Sequence, residues 1–486
     1  MTPFPTKTAL TIATLGALFA LLPRVAPAIK GPRLSQLASL AEFDPGRTPL
    51  IPMTPHRTEE IAIEPPIIHT LAKPTAPLLE DSNGVLDRFY ASLWRTERKE
   101  AGAVTRVTHY GDSPTTADLI TGDIREQLQA RFGDAGHGFI LPAKPWAWYQ
   151  HRGVSLSGAG WQIVPATHLE IKDGFFGLGG VSFTAGAPAR THIHLDDPGQ
   201  SRFELYYLQQ PGGGTVTVTT KEATRNTAPD TARDTATRDS AARDTAMQDK
   251  TVAEIPTAGE AKTPGFALFT VAGGASNLEL RTEGPVRLFG LTAEKPGPGV
   301  VYDSLGLNGA SITVLSHMFN QQHWAAELRR RNPDLVVINY GTNEADFAEF
   351  VDKHYEKELR EAIRRVRAAL PGASILLMSP MDRGHLTGPG EIETMPTIPR
   401  IVATQRSVAQ ETGCAFFDTF TAMGGAGTMA RWYTAEPRLV SADFIHPYPA
   451  GGKIVATLFV KQIESGLSRY KLRQLQTQSS ATGAVR

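Results

Sequence analysis

Tyr110-Gly111-Asp112-Ser113-Pro114-Thr115-Thr116-Ala117-Asp118 is the stretch on which the reading of this chain turns. Ahead of it, Val104-Thr105-Arg106-Val107-Thr108-His109 is rich in β-branched residues and predicts a strand ending at Tyr110. Behind it, Leu119, Ile120, Ile124, Leu128 and Phe132 recur at helical spacing and predict a helix over 116–132. Ser113 thus stands where a strand turns into a helix. Its hydroxyl is clear of the sheet, and the N–H groups of the new helix face any negative charge that develops nearby. Taken alone, Gly-Asp-Ser at such a junction is also an ordinary turn.

The same rhythm returns after Gly299. Val300-Val301-Tyr302-Asp303-Ser304 reads as a strand running into the loop Leu305-Gly306-Leu307-Asn308-Gly309. Residues 335–340 are nearly all apolar, as a buried parallel strand requires. A long amphipathic helix over 347–370, a strand over 374–378, a helix over 401–411 and a short strand over 415–418 come next. A helix over 450–463 is continued by a basic segment to 473. Upstream, a helix begins near Val85 and ends in the charged run 95–100, and the glycine-rich stretch 133–139 reads as a closing loop. Strands alternating with helices predict a three-layer α/β/α domain on a parallel sheet, with its site at the C-terminal strand ends.

Between these halves the composition changes. Trp146, Trp148, Tyr149 and Trp161 cluster, and short strands are predicted over 180–184, 190–195, 202–208, 215–220, 266–271, 278–281 and 286–291. An all-β sandwich is therefore inserted into the α/β domain. Inside it, Arg233, Arg238 and Arg243 recur every five residues, each followed by an aspartate. Period five fits neither helix nor strand, so the tract 221–263 is expected to be a disordered loop.

Lys+Arg 49 balance Asp+Glu 49, which removes the charge argument for nucleic acid. Cys414 is the one cysteine, so no intramolecular disulfide can form, and its apolar setting predicts a buried, inert thiol. Lys7, the apolar run 9–22 and Ala26-Pro27-Ala28 predict a secretory signal over 1–28, with an uncleaved anchor as the alternative. Residues 29–78 are a proline-rich linker. An exported protein of the periplasm or cell envelope is expected, touching membrane only if the N-terminal segment is retained. The sequence carries no signal for an oligomeric state.

Three further motifs bear chemistry. Asp443-Phe444-Ile445-His446 can hold an imidazole by Nδ1 and leave Nε2 free as a base. Asn343, in Gly341-Thr342-Asn343-Glu344, can donate to an oxyanion from a strand end, and Gly309 can bring a backbone N–H close to a ligand. Each alone has an ordinary structural reading as a turn or cap. Glu344 reads as a helix N-terminal carboxylate rather than a group serving the site. Trp146, Trp148 and Trp161 suit sugar stacking or core packing equally. His137, His323 and His385 lack metal-ligand spacing, so neither a metal nor a cofactor is expected.

In this order the four motifs resemble the SGNH (GDSL-like) hydrolase superfamily. That resemblance implies a flavodoxin-like α/β/α fold with Ser113 as nucleophile, His446 as base and Asp443 orienting it. It implies an oxyanion hole made by the Ser113 N–H, the Gly309 N–H and the Asn343 amide. Phe132-Gly-Asp-Ala-Gly-His-Gly-Phe139, Tyr302-Asp-Ser-Leu-Gly-Leu-Asn-Gly-Ala310 and Ala422-Met-Gly-Gly425 are further similar to the peptidoglycan O-acetylesterase branch, which carries a carbohydrate-binding jelly-roll sandwich as an insert. Pro114, where that branch often has His, and the tract 221–263 depart from it. The implied organisation is hydrolase over 79–139 and 296–474, insert over 140–295, and a flexible tail over 475–486. The implied activity is removal of O-acetyl groups from a cell-envelope polysaccharide such as peptidoglycan. The alternatives are an O-acetyltransferase with the same triad and a non-catalytic carbohydrate-binding envelope protein.

Overall fold

The structure, a computed structural model, describes residues 77–168, 173–223 and 247–483. The signal-like segment, almost all of the proline-rich linker and residues 224–246 of the charged tract lie outside the described residues. β1 (Leu79–Glu80), a helix at Asp87–Glu97 and β2 (Val104–Gly111) open the α/β layer. β3 (Gly136–Ile140), β4 (Val154–Ala159), β5 (Gln162–Pro165), β6 (Val181–Ala185), β7 (Arg190–Leu195), β8 (Arg202–Gln209), β9 (Thr215–Ala223), β10 (Met247–Pro256), β11 (Thr263–Thr270), β12 (Asn277–Glu283) and β13 (Val286–Glu294) build the insert. β14 (Gly299–Gly306), β15 (Leu335–Asn339), β16 (Ser374–Met378) and β19 (Ala415–Phe417) complete the α/β sheet, while β17 (Gly384–Gly388) and β18 (Glu391–Thr394) form a separate hairpin.

The α/β sheet runs β1-β19-β16-β15-β2-β14, parallel except for β1. Counting only the parallel strands in chain order gives 2-1-3-4-5, the flavodoxin-like winding, in which the crevice at the switch point lies beside the first strand. Period two along each strand sends alternate residues to opposite layers. Leu335 and Val337 pack with Phe89, Ile124, Val455 and Phe459, on the side of helices Asp87–Glu97, Thr121–Phe132 and Pro449–Gly483. Val336 and Ile338 pack with Trp324, Leu359 and Ile401, on the side of helices Gln321–Arg331, Tyr355–Ala369 and Thr397–Thr412. Cys414 is buried there, and burial pushes its thiol pKa up.

The insert stacks a sheet in the order β10-β9-β12-β7-β4 on another in the order β11-β8-β13-β6-β5, as expected of a sandwich. Its core is continuous with that of the α/β domain: Phe139, Leu178, Phe183, Phe203 and Leu291 share one cluster with Tyr110, Leu305 and Trp324. At the junction Arg331, 5% exposed, pairs with Asp303 at 2.7 Å and with Glu294. Arg106 meets Glu294 at 2.9 Å, and Asp303 also accepts from Thr108 Oγ1 at 3.1 Å and Phe139 N at 2.9 Å. Burial opposes the Glu294 charge, yet Arg331 and Arg106 hold its pKa at about 2.

Several sequence expectations are corrected. The helix over 116–132 is broken into a single turn, Ser113–Thr116, and a helix from Thr121 to Phe132. Between them Asp118 adopts φ +53°, and its buried carboxylate meets Arg125 at 2.6 Å, Thr121 Oγ1 at 2.7 Å and Arg152 N at 2.8 Å. Those bonds outweigh continuation of the helix. The stretch 133–139 is not a loop throughout, because from Gly136 it is β3, which pairs antiparallel with β13 in the sandwich. The tract 221–263 is not a loop throughout: β10 pairs with β9 from Met247↔Ala223 to Pro256↔Thr215. The supposed tail is helical as far as Gly483, and the helix over 347–370 is two helices, Ala348–Lys353 and Tyr355–Ala369.

Candidate active site

The three strands around the switch point end in register, Gly111 pairing with both Gly306 and Asn339. A Cβ on Gly306 would lie 2.1 Å from Thr116 N, so glycine lets the second loop press against the turn that bears Ser113. Leu307 N donates to Gly111 O at 3.0 Å and locks the two strand ends together. The loops that leave these strands are therefore delivered to one edge of the sheet.

After β2 comes Ser113, 7% exposed, at the start of its helical turn. Ser113 Oγ lies 2.7 Å from His446 Nε2, and His446 Nδ1 lies 2.6 Å from Asp443 Oδ2. Asp443 Oδ1 accepts from Ile445 N at 2.9 Å, from His446 N at 3.1 Å and from Ser441 Oγ. Burial works against ionisation of Asp443, but these donors outweigh it and hold the pKa at about 2. The loop is closed by Ser441 N donating to His446 O at 2.8 Å, with Phe444 at φ +59° to make the reversal. The carboxylate therefore serves two ends, shaping its own loop and fixing the ring that faces Ser113.

The remaining expected residues come together on the neighbouring loops. Gly309 has φ +68°, which favours glycine, and a Cβ there would meet nothing within 4 Å, so this backbone borders open space. Asn343 Nδ2 donates to Ala310 O at 2.8 Å, joining its own loop to that of Gly309. One amide hydrogen is used in this bond, and the amide group carries a second.

Glu344 was undervalued by its sequence context. It is 1% exposed, and its two oxygens accept from Ile312 N at 2.7 Å and Gly341 N at 3.0 Å. The carboxylate is a clamp across the two loops that carry Gly309 and Asn343. Burial pushes its pKa up to about 7, against the two N–H bonds. Asp112, beside Ser113, is likewise pushed up to about 6 by burial, with the Thr342 hydroxyl and His446 opposing. No one-dimensional signal distinguishes such a clamp from a capping glutamate, since its partners come from different strands. Among the described residues no group of acidic, histidine or cysteine side chains is arranged to hold a metal ion, and no helix is long and apolar enough to cross a membrane.

Residues 271–454 match the model of the GDSL-like Lipase/Acylhydrolase family. The matched region includes Gly309, Asn343, Asp443 and His446 and begins after Ser113. Among solved structures, a peptidoglycan O-acetylesterase is similar with TM-score 0.64 at 22% identity, over 81% of this chain and 100% of that one. A family two carbohydrate esterase from Cellvibrio japonicus is similar at 10% identity over 65% of this chain and 99% of its own, with TM-score 0.25. No curated protein matches the chain. The chain carries a GDSL-like acylhydrolase region on an SGNH-type fold, and it is a hydrolase acting on ester bonds.

Proposed function

We propose that the protein is an exported O-acetylesterase acting on an acetylated cell-envelope polysaccharide, with peptidoglycan as its substrate. The observation that carries this reading is the hydrogen-bonded series from Asp443 through His446 to Ser113, set beside an open backbone at Gly309. The similarity in fold to a peptidoglycan O-acetylesterase supports the choice of substrate, and the signal-like segment at 1–28 supports export.

In this mechanism Ser113 Oγ attacks the acetyl carbonyl carbon while its proton passes to His446 Nε2. Asp443 stabilises the imidazolium that results. The N–H groups of Ser113 and Gly309 and the second Asn343 amide hydrogen donate to the carbonyl oxygen as it becomes an oxyanion. Collapse breaks the ester bond, and the departing sugar oxygen takes the proton from His446. The acetyl group now sits on Ser113. Water, giving a proton to His446, attacks that ester and releases acetate, and the proton returns to Ser113. A sugar hydroxyl in place of water would give acetyl transfer. The decisive test is acetate release from purified O-acetylated peptidoglycan and from an aryl acetate, with and without an added sugar acceptor. Free acetate from the polymer, undiminished by acceptor, is expected. Transfer to the acceptor without net acetate release would establish the transferase instead.

A further inference from the structure

The insert does more than flank the catalytic domain, because its first long loop, residues 144–152, lies along the nucleophile. Trp148 Nε1 donates to Asn308 Oδ1 at 3.3 Å, next to Gly309. Gln150 N donates to Thr116 O at 3.2 Å, in the turn that starts at Ser113, and Arg152 N donates to Asp118 Oδ2 at 2.8 Å. Three bonds in five residues pin this loop from the Gly309 side to the far end of the nucleophile's turn.

The tryptophans of this region have different surroundings. Trp161 donates to Thr191 Oγ1 at 3.0 Å and packs edge-on against Phe183, and Trp146 packs against the shared core. Trp148 is 50% exposed. A large indole left half in water, yet fixed by a bond from its N–H, keeps an apolar face on offer instead of collapsing onto the core. The loop residues that follow it, among them Gln150 and Arg152, line a cleft of about 480 Å³ together with Ala117, Leu119, Lys144 and Pro449. Ala117 N bonds Ser113 O at 3.1 Å, and Pro449 stands three residues after His446, so the cleft borders the two segments that carry Ser113 and His446. Its volume and its mix of apolar and polar lining suit a small organic ligand. A pyranose ring presents the matching chemistry, with C–H faces for an indole and hydroxyl edges for an amide and an ammonium.

We propose that loop 144–152 is the saccharide-holding wall of the active site: Trp148 stacks on a pyranose ring at the acetylated position, and the adjoining cleft takes the next sugar along the chain. This rests on the esterase reading above. The wall determines which esters are used, since an aryl acetate has no glycan to lay against it.

The test compares kcat/KM on O-acetylated peptidoglycan with that on p-nitrophenyl acetate for wild type, Trp148→Ala and Trp148→Phe. For Trp148→Ala the loss on the polymer is expected to exceed the loss on the aryl ester by about tenfold or more, mostly in KM, with Trp148→Phe recovering much of it. As a check independent of turnover, soluble de-O-acetylated peptidoglycan fragments should quench tryptophan fluorescence in wild type and not in Trp148→Phe. Equal losses on the two substrates, or the same quenching in both proteins, would overturn the wall. A wild-type enzyme that cleaves the aryl ester and leaves the polymer untouched would instead overturn the esterase reading, and the wall with it.

Discussion

Glu344→Gln separates the clamp from an incidental buried carboxyl. The wild-type side chain satisfies two buried N–H groups, those of Ile312 and Gly341, with two oxygens. Glutamine has one oxygen, so its NH₂ meets the other N–H head-on, and leaving a buried donor unsatisfied costs about 1–3 kcal/mol. Against this, the wild-type carboxyl is pushed from an ordinary 4.5 up to about 7 by burial. That change corresponds to about 3 kcal/mol between its two forms. Because the folded-state pKa is raised, the contribution to stability is complete below pH 4.5 and is lost as pH rises through about 7. Urea unfolding from pH 4.5 to 8 should therefore show the wild type losing about 3 kcal/mol relative to the variant. The variant should be the weaker protein at the acid end and about equal, or stronger, at the alkaline end. At pH 8 its kcat on an aryl acetate should fall roughly ten- to a hundredfold, since loosening the two loops displaces Gly309 and Asn343 by a fraction of an ångström to an ångström. An unchanged stability slope would refute the burial argument, and an unchanged kcat would refute the clamp.

Other perturbations probe separate parts of the account. Asn343→Ala should lower kcat on an aryl acetate by about 10²–10³ with little change in KM, which steady-state kinetics would read directly. Arg331→Met leaves the buried Asp303 without its ion-pair partner and Glu294 without the most buried of its cations, so denaturant melts should show a loss of about 3–5 kcal/mol. Excising 224–246 and joining Ala223 to Met247 through a short Gly/Ser turn should leave the melting temperature nearly unchanged, whereas excision through 263 deletes the edge strand β10 and should lower it measurably.

Much of the fold was legible because parallel strands buried on both faces announce themselves. Residues 335–338 and 375–378 are runs of four apolar residues that need no partner to be recognised. The four chemical motifs were legible because each sits at a strand end or just before a helix. What escaped depends on contacts distant in sequence. Asp118 breaks its helix through Arg125 and Arg152, and β10 has little apolar signal because it is an edge strand with Ile255 as its buried anchor. Glu344 gains its importance from the Ile312 N–H, which belongs to another loop. The insert also reads as a detachable module in sequence, and the core it shares with the hydrolase through Phe139, Leu291 and Leu305 argues that removing it whole would unfold both.

The central claim is that Ser113, activated by His446, is the group that takes up the acyl chain. Treating the protein with a serine-directed sulfonyl fluoride and mapping the adduct by peptide mass spectrometry tests it most directly. The account predicts stoichiometric labelling at Ser113 with matching loss of esterase activity, greatly slowed in His446→Ala and absent in Ser113→Ala. Full activity in Ser113→Ala, or stoichiometric labelling at another serine with loss of activity, would contradict it.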